Sequence, residues 1–322
     1  MELPIELKTA VENVINGLKK GDLMKNAENI SNRYRNESGE GKRLLTEDDE
    51  AAAYSVVRMP ATYGAVFTAL NYTLDNAEGC KINSLLDIGA GTGAATWACD
   101  TLIDLESVTC LERESAMRNI GKAIMSEGSE VLQNADWKEF DLIKGDINER
   151  ADLVTVSYVL NELSEEERIK AAEKIWNAAD KIALFVEPGT PVGYNNLKRI
   201  REHLLAKGAH VVAPCPHEEK CALKGDDWCH FSCRIPRSRL HRQLKNADVP
   251  YEDEKFAYLA VSKEEYSRAE MRVLRHPITA KGRITLDICS KNGIETMDVF
   301  KREKDLYKKA RKADWGDNIT RE

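Results

Sequence analysis

The segment "KINSLLDIGAGTGAATWACDTL" constrains this chain more than any other. An apolar run, Ser84–Ile88, enters a turn containing Gly89, Gly91 and Gly93, and small residues at helical spacing follow. A strand that hands over to a helix through a glycine turn begins a βα unit. "SVTCLE" reads as a second strand, and "ADLVTVSYVL" as a further one ending near Ser157. "NELSEEERIKAAEKIWNAAD" has amphipathic helical spacing, "KIALFVEPG" reads as a buried strand, and another helix is expected at about residues 194–207. Strands alternating with helices imply an α/β fold with a doubly wound, Rossmann-like parallel sheet.

Residues 1–80 read as a helical region. Leu7, Ala10, Val11, Val14, Ile15 and Leu18 have helical spacing. A polar loop covers "NRYRNESGEGKRLLTEDDE", Thr46 is expected to cap the next helix, and Pro60 to interrupt or restart it. Residues 81–263 form the expected ligand-binding domain, with a cysteine-rich insertion at 213–245. "EKFAYLAVSK" reads as its late strand. Residues 264–322 form a small β extension with a basic tail, built on a hairpin around Asn292-Gly293.

The glycines run G-x-G-x-G, and Ala94 stands where a dinucleotide fingerprint would need its third glycine. An acid, Asp87, lies two residues before the first glycine. This pattern suits S-adenosylmethionine (SAM), which has no pyrophosphate to cradle and carries an ammonium and a sulfonium. Glu112 ends the second strand, where a carboxylate can accept bonds from both ribose hydroxyls. The SAM-binding candidates are therefore Asp87, Gly89, Gly91, Gly93 and Glu112. Asp136 or Asp146 is a candidate for the adenine end. A ligand-free glycine turn and a NAD site are the alternatives. No catalytic nucleophile or base is assigned. "YVLNEL" lacks the Asn/Asp-Pro-Pro-aromatic motif of amino-methylating enzymes, and Pro214-Cys215 comes two elements too late for a cytosine-C5 nucleophile. Asn161-Glu162 reads as a helix start.

Four cysteines, Cys215, Cys221, Cys229 and Cys233, fall within a polar stretch that has too few apolar side chains to pack itself. The chain shows no run of eighteen apolar residues and no signal-peptide pattern at its start, so a cytoplasmic, reducing location without a membrane span is expected. There, clustered cysteines act as metal ligands rather than disulfides. The spacing C-x5-C-x7-C-x3-C contains no C-x2-C pair, which suits an iron–sulfur cluster, while His217 and His230 keep zinc open. Cys289 is a fifth candidate ligand. Cys80, Cys99 and Cys110 sit in apolar settings and read as core residues. Trp228 and Phe231 read as loop packing. Net charge is -7, yet "RIPRSRLHRQLK" carries Arg234, Arg237, Arg239, Arg242 and Lys245 without an acid, and "KREKDLYKKARK" is also basic. Next to a metal-pinned loop, the first run would form a phosphate-binding surface.

Taken in order, "RMPATY", "LLDIGAGTGAATWA", "VLNEL", "VEPGTP", "CPHEEKCALKGDDWCHFS", "HRQLK", "YEDEKFAYLAVSK" and "LDICSKNG" resemble the methyltransferase-like assembly factors of the small ribosomal subunit. These are known in mitochondria and have bacterial and archaeal relatives. The resemblance covers roughly residues 50–302. It implies a class I SAM methyltransferase fold and a [4Fe-4S] cluster on Cys215, Cys221, Cys229 and Cys289. Many family members carry Gln where this chain has Cys233. It also implies binding to small-subunit rRNA or an assembly intermediate, by a protein expected to be monomeric away from the ribosome. A defined methyl acceptor is not implied, so an rRNA methyltransferase, a catalytically silent assembly factor and a small-molecule methyltransferase with a structural zinc are the three readings carried forward.

Overall fold

Near-continuous burial of Leu85, Leu86, Asp87 and Ile88 marks a strand covered on both faces. In the computed structural model, which describes residues 1–36 and 47–321, this strand lies in the middle of a mixed sheet. Before it come helices α1 (Ile5–Val14), α2 (Lys20–Asn36), α3 (Asp48–Val57) and α4 (Met59–Leu74). The expected cap Thr46 lies outside the described residues. Pro60 is the second residue of α4, where its missing N–H has no helical partner to lose.

The sheet then builds in βα steps: β1 (Ser84–Ile88), α5 (Ala94–Leu102), β2 (Ser107–Glu112), α6 (Ser115–Met125), α7 (Glu130–Gln133), β3 (Asp136–Glu139), β4 (Ala151–Ser157), α8 (Glu165–Ala178), β5 (Ala179–Pro188) and α9 (Pro191–Ala206). The last members are β6 (His210–Ala213), β7 (Phe231–Pro236), α10 (Arg239–Leu244) and β8 (Tyr251–Ser262). Strand order is β3-β2-β1-β4-β5-β8-β6, with β7 also on β8. β1 to β5 are mutually parallel, and β8 runs antiparallel to β5, β6 and β7. This is the doubly wound, Rossmann-like class I methyltransferase fold. Alternate strand residues feed two cores. Leu85, Val108 and Leu153 pack on the side of α4 and α5, whereas Leu86, Leu111 and Val154 pack on the side of α8 and α9.

Sequence patterning passes over β3, because its four residues lie at the sheet edge and none is buried. The outer edge of β8 has a gap. β7 pairs with Tyr251–Phe256 and β6 with Ala260–Ser262, leaving Ala257–Leu259 without a strand partner on that side. The cysteine loop, residues 214–230, is the excursion between these two edge pieces.

The expected C-terminal hairpin is part of a larger unit. β9 (Met271–Val273), β10 (Ile278–Ala280), β11 (Arg283–Ser290), β12 (Gly293–Phe300) and β13 (Asn318–Ile319) form a second, antiparallel sheet, with α11 (Lys304–Lys312) packed on it. Ser290 pairs with Gly293, so Lys291-Asn292 is the two-residue loop, one position earlier than the Asn-Gly signal. No helix among the described residues is long and apolar enough to cross a membrane.

Candidate ligand cleft and cysteine cavity

A cleft of about 1310 Å³ opens at the C-terminal ends of β1, β2 and β4, lined by their last residues Ile88, Glu112 and Ser157. Strand order reverses here, between β1 and β4, which is where open α/β sheets place ligands. Gly89, Gly91 and Glu112 line the cleft, while Asp87 and Gly93 lie behind it. Gly91 has φ +56°, and a Cβ on it would meet no protein atom within 4 Å, so the space over the turn is left to a ligand. Gly89, at φ +67°, is tighter: a Cβ there would come within 2.3 Å of Val159 Cγ2.

The Asp87 carboxylate points into the protein. Register sets Asp87 opposite Thr155 on β4, and the Thr155 hydroxyl donates to Oδ1 at 2.8 Å. The Thr96 hydroxyl, in the first turn of α5, donates to Oδ2 at 2.8 Å. Burial pushes this carboxyl up and the two hydroxyls pull it back. Asp87 thus fastens β1, β4 and α5 beneath the turn. Glu112 Oε2 accepts the Gly91 N–H and Oε1 accepts the Glu114 N–H, both at 2.8 Å. Each oxygen keeps a second lone pair for a ligand hydroxyl. Asp136 and Asp146 line no part of the cleft; they pair with Lys138 (3.2 Å) and Lys174 (3.6 Å).

Sequence reasoning missed several cleft residues. Tyr158, directly after β4, has φ +60°, a strained conformation for a non-glycine residue and one without a sequence signature. Its hydroxyl donates to Glu254 Oε1 at 2.9 Å, and Arg58 donates to the same oxygen at 3.4 Å. Asn161 and Glu162 sit in a 3₁₀ turn, Leu160–Glu162, and both line the cleft. Burial pushes Glu162 up to about 7. Behind this turn, fully buried Glu187 accepts the Leu160 N–H at 3.1 Å, and burial raises it to about 8.

The basic run is less free than its composition suggests. Glu252 and Asp253 of β8 take up three of its five cations: Arg234 pairs with Asp253 (2.7 Å), and Arg237 (3.4 Å) and Lys245 (2.7 Å) pair with Glu252. Arg239 is exposed, and neither it nor Arg242 forms an ion pair among the described residues.

A second, smaller cavity of about 60 Å³ lies against the gap in the β8 edge, lined by Ala257, Tyr258 and Leu259. Cys215, Cys221, Cys229 and Cys289 all line it. The first three come from the loop and the fourth from β11. Burial first, then the charges of Cys215, Cys289 and Cys221, push the Cys229 thiol up, so these sulfurs lie in each other's fields. Cys233 does not line this cavity. It sits on β7 facing α4, where a Cβ on Gly64 would come within 3.1 Å of its sulfur. His217 Nε2 is 3.5 Å from Cys289 Sγ, whereas His230 stacks on Trp228 with ring centroids 4.9 Å apart. Trp228 packs in the loop, bonding the Gly189 carbonyl at 2.9 Å, whereas Phe231 is the first residue of β7 and is buried in the sheet core against Phe256 and Tyr258.

The donor set can be tested against the two metal groups in view. Zn–S bonds of 2.3 Å in a tetrahedron would draw the sulfurs to about 3.8 Å from one another. Among the described residues, no three His, Cys, Asp or Glu side chains converge closely enough to hold a single ion. A cubane binds each thiolate through a different iron, so it needs four sulfurs around a wider space. Four thiols, with Arg201, Arg272 and Lys198 beside them and no carboxylate in the lining, fit such a cluster.

Comparison with known proteins finds relatives of the chain and a family model that matches it. Human "Ribosome assembly protein METTL17, mitochondrial" is 24% identical over 286 residues, covering 82% of this chain and 61% of the relative. "Rsm22-cox11 tandem protein 2, mitochondrial" of Schizosaccharomyces pombe is 23% identical, covering 96% of this chain and 48% of the relative. The chain therefore spans about half to three-fifths of the curated relatives it matches. Among solved structures, the magnesium protoporphyrin IX methyltransferase of Synechocystis with bound SAM overlaps at a TM-score of 0.42 and 12% identity, covering 82% of this chain and 100% of that one. The relatives are mitochondrial by name, which overturns the expectation of a cytoplasmic location drawn from composition and a missing signal peptide. Neither feature distinguishes one reducing compartment from another. The family model described as "Mitochondrial small ribosomal subunit Rsm22" matches residues 48–320, from the first turn of α3 to one residue past β13, and the chain belongs to that family.

Proposed function

We propose that this chain binds SAM in the cleft, holds a [4Fe-4S] cluster on Cys215, Cys221, Cys229 and Cys289, and acts on or binds small-subunit rRNA during ribosome assembly. The observation that carries the reading is that these four cysteines, from two distant segments, line one cavity without a carboxylate. Support for the ribosomal part comes from the family and from the relatives' names.

In the cleft, SAM would supply a methyl group on a positively charged sulfur. Glu112 would accept the ribose hydroxyls, the open face of Gly91 would admit the ligand's backbone-facing edge, and Glu162 would face its cationic end. Asp87 would act from behind, by holding the turn. In the cavity, the cluster would supply four iron–thiolate bonds that tie the loop to β11. Arg239 and Arg242, which form no ion pair among the described residues, would be the cations of the basic run that meet phosphate.

A catalytically silent assembly factor is the second reading. It is favoured by the chain after β4, where Tyr158 is tied to Glu254 and no Asn/Asp-Pro-Pro-aromatic motif faces the cleft.

Anaerobic purification of the whole chain, with assays for iron, sulfide and zinc, tests the cluster. About four irons and four sulfides per chain are expected; one zinc without sulfide would overturn it. Equilibrium dialysis with labelled SAM should show binding by the wild type and its loss in Gly91→Val. A methyl mark on small-subunit rRNA that disappears in Gly91→Val would favour methyl transfer over the silent role.

A further inference from the structure

Two arginines beside the cysteine cavity are almost wholly buried, Arg201 at 4% and Arg272 at 1% exposure. Arg201, on α9, donates from Nη2 to the carbonyls of His217 (2.9 Å) and Glu219 (3.0 Å). Arg272, on β9, donates from Nε to the Pro214 carbonyl (2.9 Å) and from Nη1 to the Gly316 carbonyl (2.6 Å). The guanidiniums thus grip the cysteine loop from two sides, one from each sheet's layer. Yet Arg201 Nε and Arg272 Nη2 are buried with no hydrogen-bond partner. Asp317 lies within the field of Arg272 without forming an ion pair, and no carboxylate pairs with Arg201 among the described residues.

A buried cation without a counter-charge is strongly unfavourable, and so is an unsatisfied buried N–H. The groups that can answer both needs line the same cavity. Arg201 and Arg272 line that cavity together with Cys215, Cys221, Cys229 and Cys289. Four thiolates on an oxidised cubane leave two negative charges, and the two guanidiniums balance them.

We propose that Arg201 and Arg272 are the charge partners of the cluster, donating their free N–H groups to its sulfurs and raising its reduction potential. The inference rests on the cluster reading above. Both residues are positioning residues: neither replaces a cysteine ligand. Hydrogen bonds and positive charge near a cluster's sulfurs are general determinants of potential, because they offset the negative charge gained on reduction.

The test uses the full chain purified anaerobically, as wild type and as Arg201→Gln, Arg272→Gln and Arg272→Lys. Iron and sulfide per chain are measured first, then the midpoint potential by redox titration followed by electron paramagnetic resonance. Each Gln variant that keeps its cluster should titrate at a more negative potential than wild type. Arg272→Lys, which keeps the charge, should stay closer to wild type. Loss of iron from the Gln variants with retention in Arg272→Lys would equally support a charge role. Unchanged potentials in both Gln variants would make the arginines structural only and overturn the proposal. So would loss of iron from Arg272→Lys and Arg272→Gln alike, with Arg201→Gln unchanged. If Arg272→Gln fails to fold, Arg201→Gln decides alone. A wild type free of iron and sulfide would overturn the cluster reading beneath, a result distinct from an unchanged potential.

Discussion

In the cleft, the two central carboxylates have their oxygens bonded inside the protein: Asp87 to Thr96 and Thr155, Glu112 to Gly91 and Glu114. Around the cysteine cavity, the corresponding groups are incomplete: Arg201 Nε and Arg272 Nη2 have no hydrogen-bond partner among the described residues, and four cysteines line one space. The chain itself holds these two cleft carboxylates in place, although Thr92 Oγ1 and Asn161 Oδ1, in residues that also line the cleft, have no hydrogen-bond partner among the described residues. On the proposed reading, an occupant satisfies the polar groups of the cavity. The two regions should therefore respond differently to substitution, and that difference can be broken or sharpened by experiment.

The largest effect is expected in the cavity. Cys229→Ser should lose most bound iron and lower the unfolding midpoint by about 5 °C, as a loss of a few kcal/mol does in a chain of this size. Hydrogen exchange should report the change first in β9 and β11. Cys233→Ser, on β7 against α4 and outside the cavity lining, should leave iron content at the wild-type level; a matching loss would place Cys233 in the cluster.

Asp87→Ala strands two buried hydroxyls, those of Thr96 and Thr155, and should cost about 3 kcal/mol in denaturant titrations. SAM affinity should fall and iron content should not. Iron lost in parallel would mean that the two regions are one cooperative site.

Glu187 sharpens the comparison through pH. Burial raises its folded pKa to about 8, above the unfolded value of 4.5, so the folded state holds the proton more tightly. Its contribution is fully present below pH 4.5 and is lost as pH rises through about 8. Wild type should lose about 2 kcal/mol between pH 5 and pH 7 from this group. Glu187→Gln should remove that slope in urea unfolding, and an unchanged slope would show that Glu187 is solvated in solution.

The smallest effect on stability belongs to Arg239→Ala, within about 0.5 kcal/mol. Its binding to single-stranded small-subunit rRNA should nevertheless lose about 0.7 from the slope of log affinity against log salt, the share of one phosphate contact. An unchanged slope would move the RNA surface away from α10.

The βα frame was legible because burial on both faces writes itself as apolar runs, and because a turn needing φ > 0 writes itself as glycine. The cysteine group was legible in part: spacing marked Cys215, Cys221 and Cys229 but also Cys233, which lies outside the cavity, and Cys289, sixty residues beyond Cys229, was a fifth candidate that the resemblance favoured. What escaped depended on pairing. The inward aim of Asp87 follows from its register with Thr155. The neutralised cations of the basic run follow from Glu252 and Asp253 on a strand that returns beside them. β3 and the five-stranded C-terminal sheet contain short strands with exposed faces, whose composition looks like loop.

The interval between Cys229 and Cys289 also has a temporal meaning. A polypeptide is made from its amino end at about 5–20 residues per second, so about 3–12 s separate the synthesis of these two cysteines. Throughout that interval the growing chain carries three of the cavity's thiols while the fourth has not yet been made. β1 to β5, which frame the cleft, are complete well before then. Translation itself thus imposes an order: the nucleoside-side framework first, and closure around Cys215, Cys221 and Cys229 only once β11 has emerged.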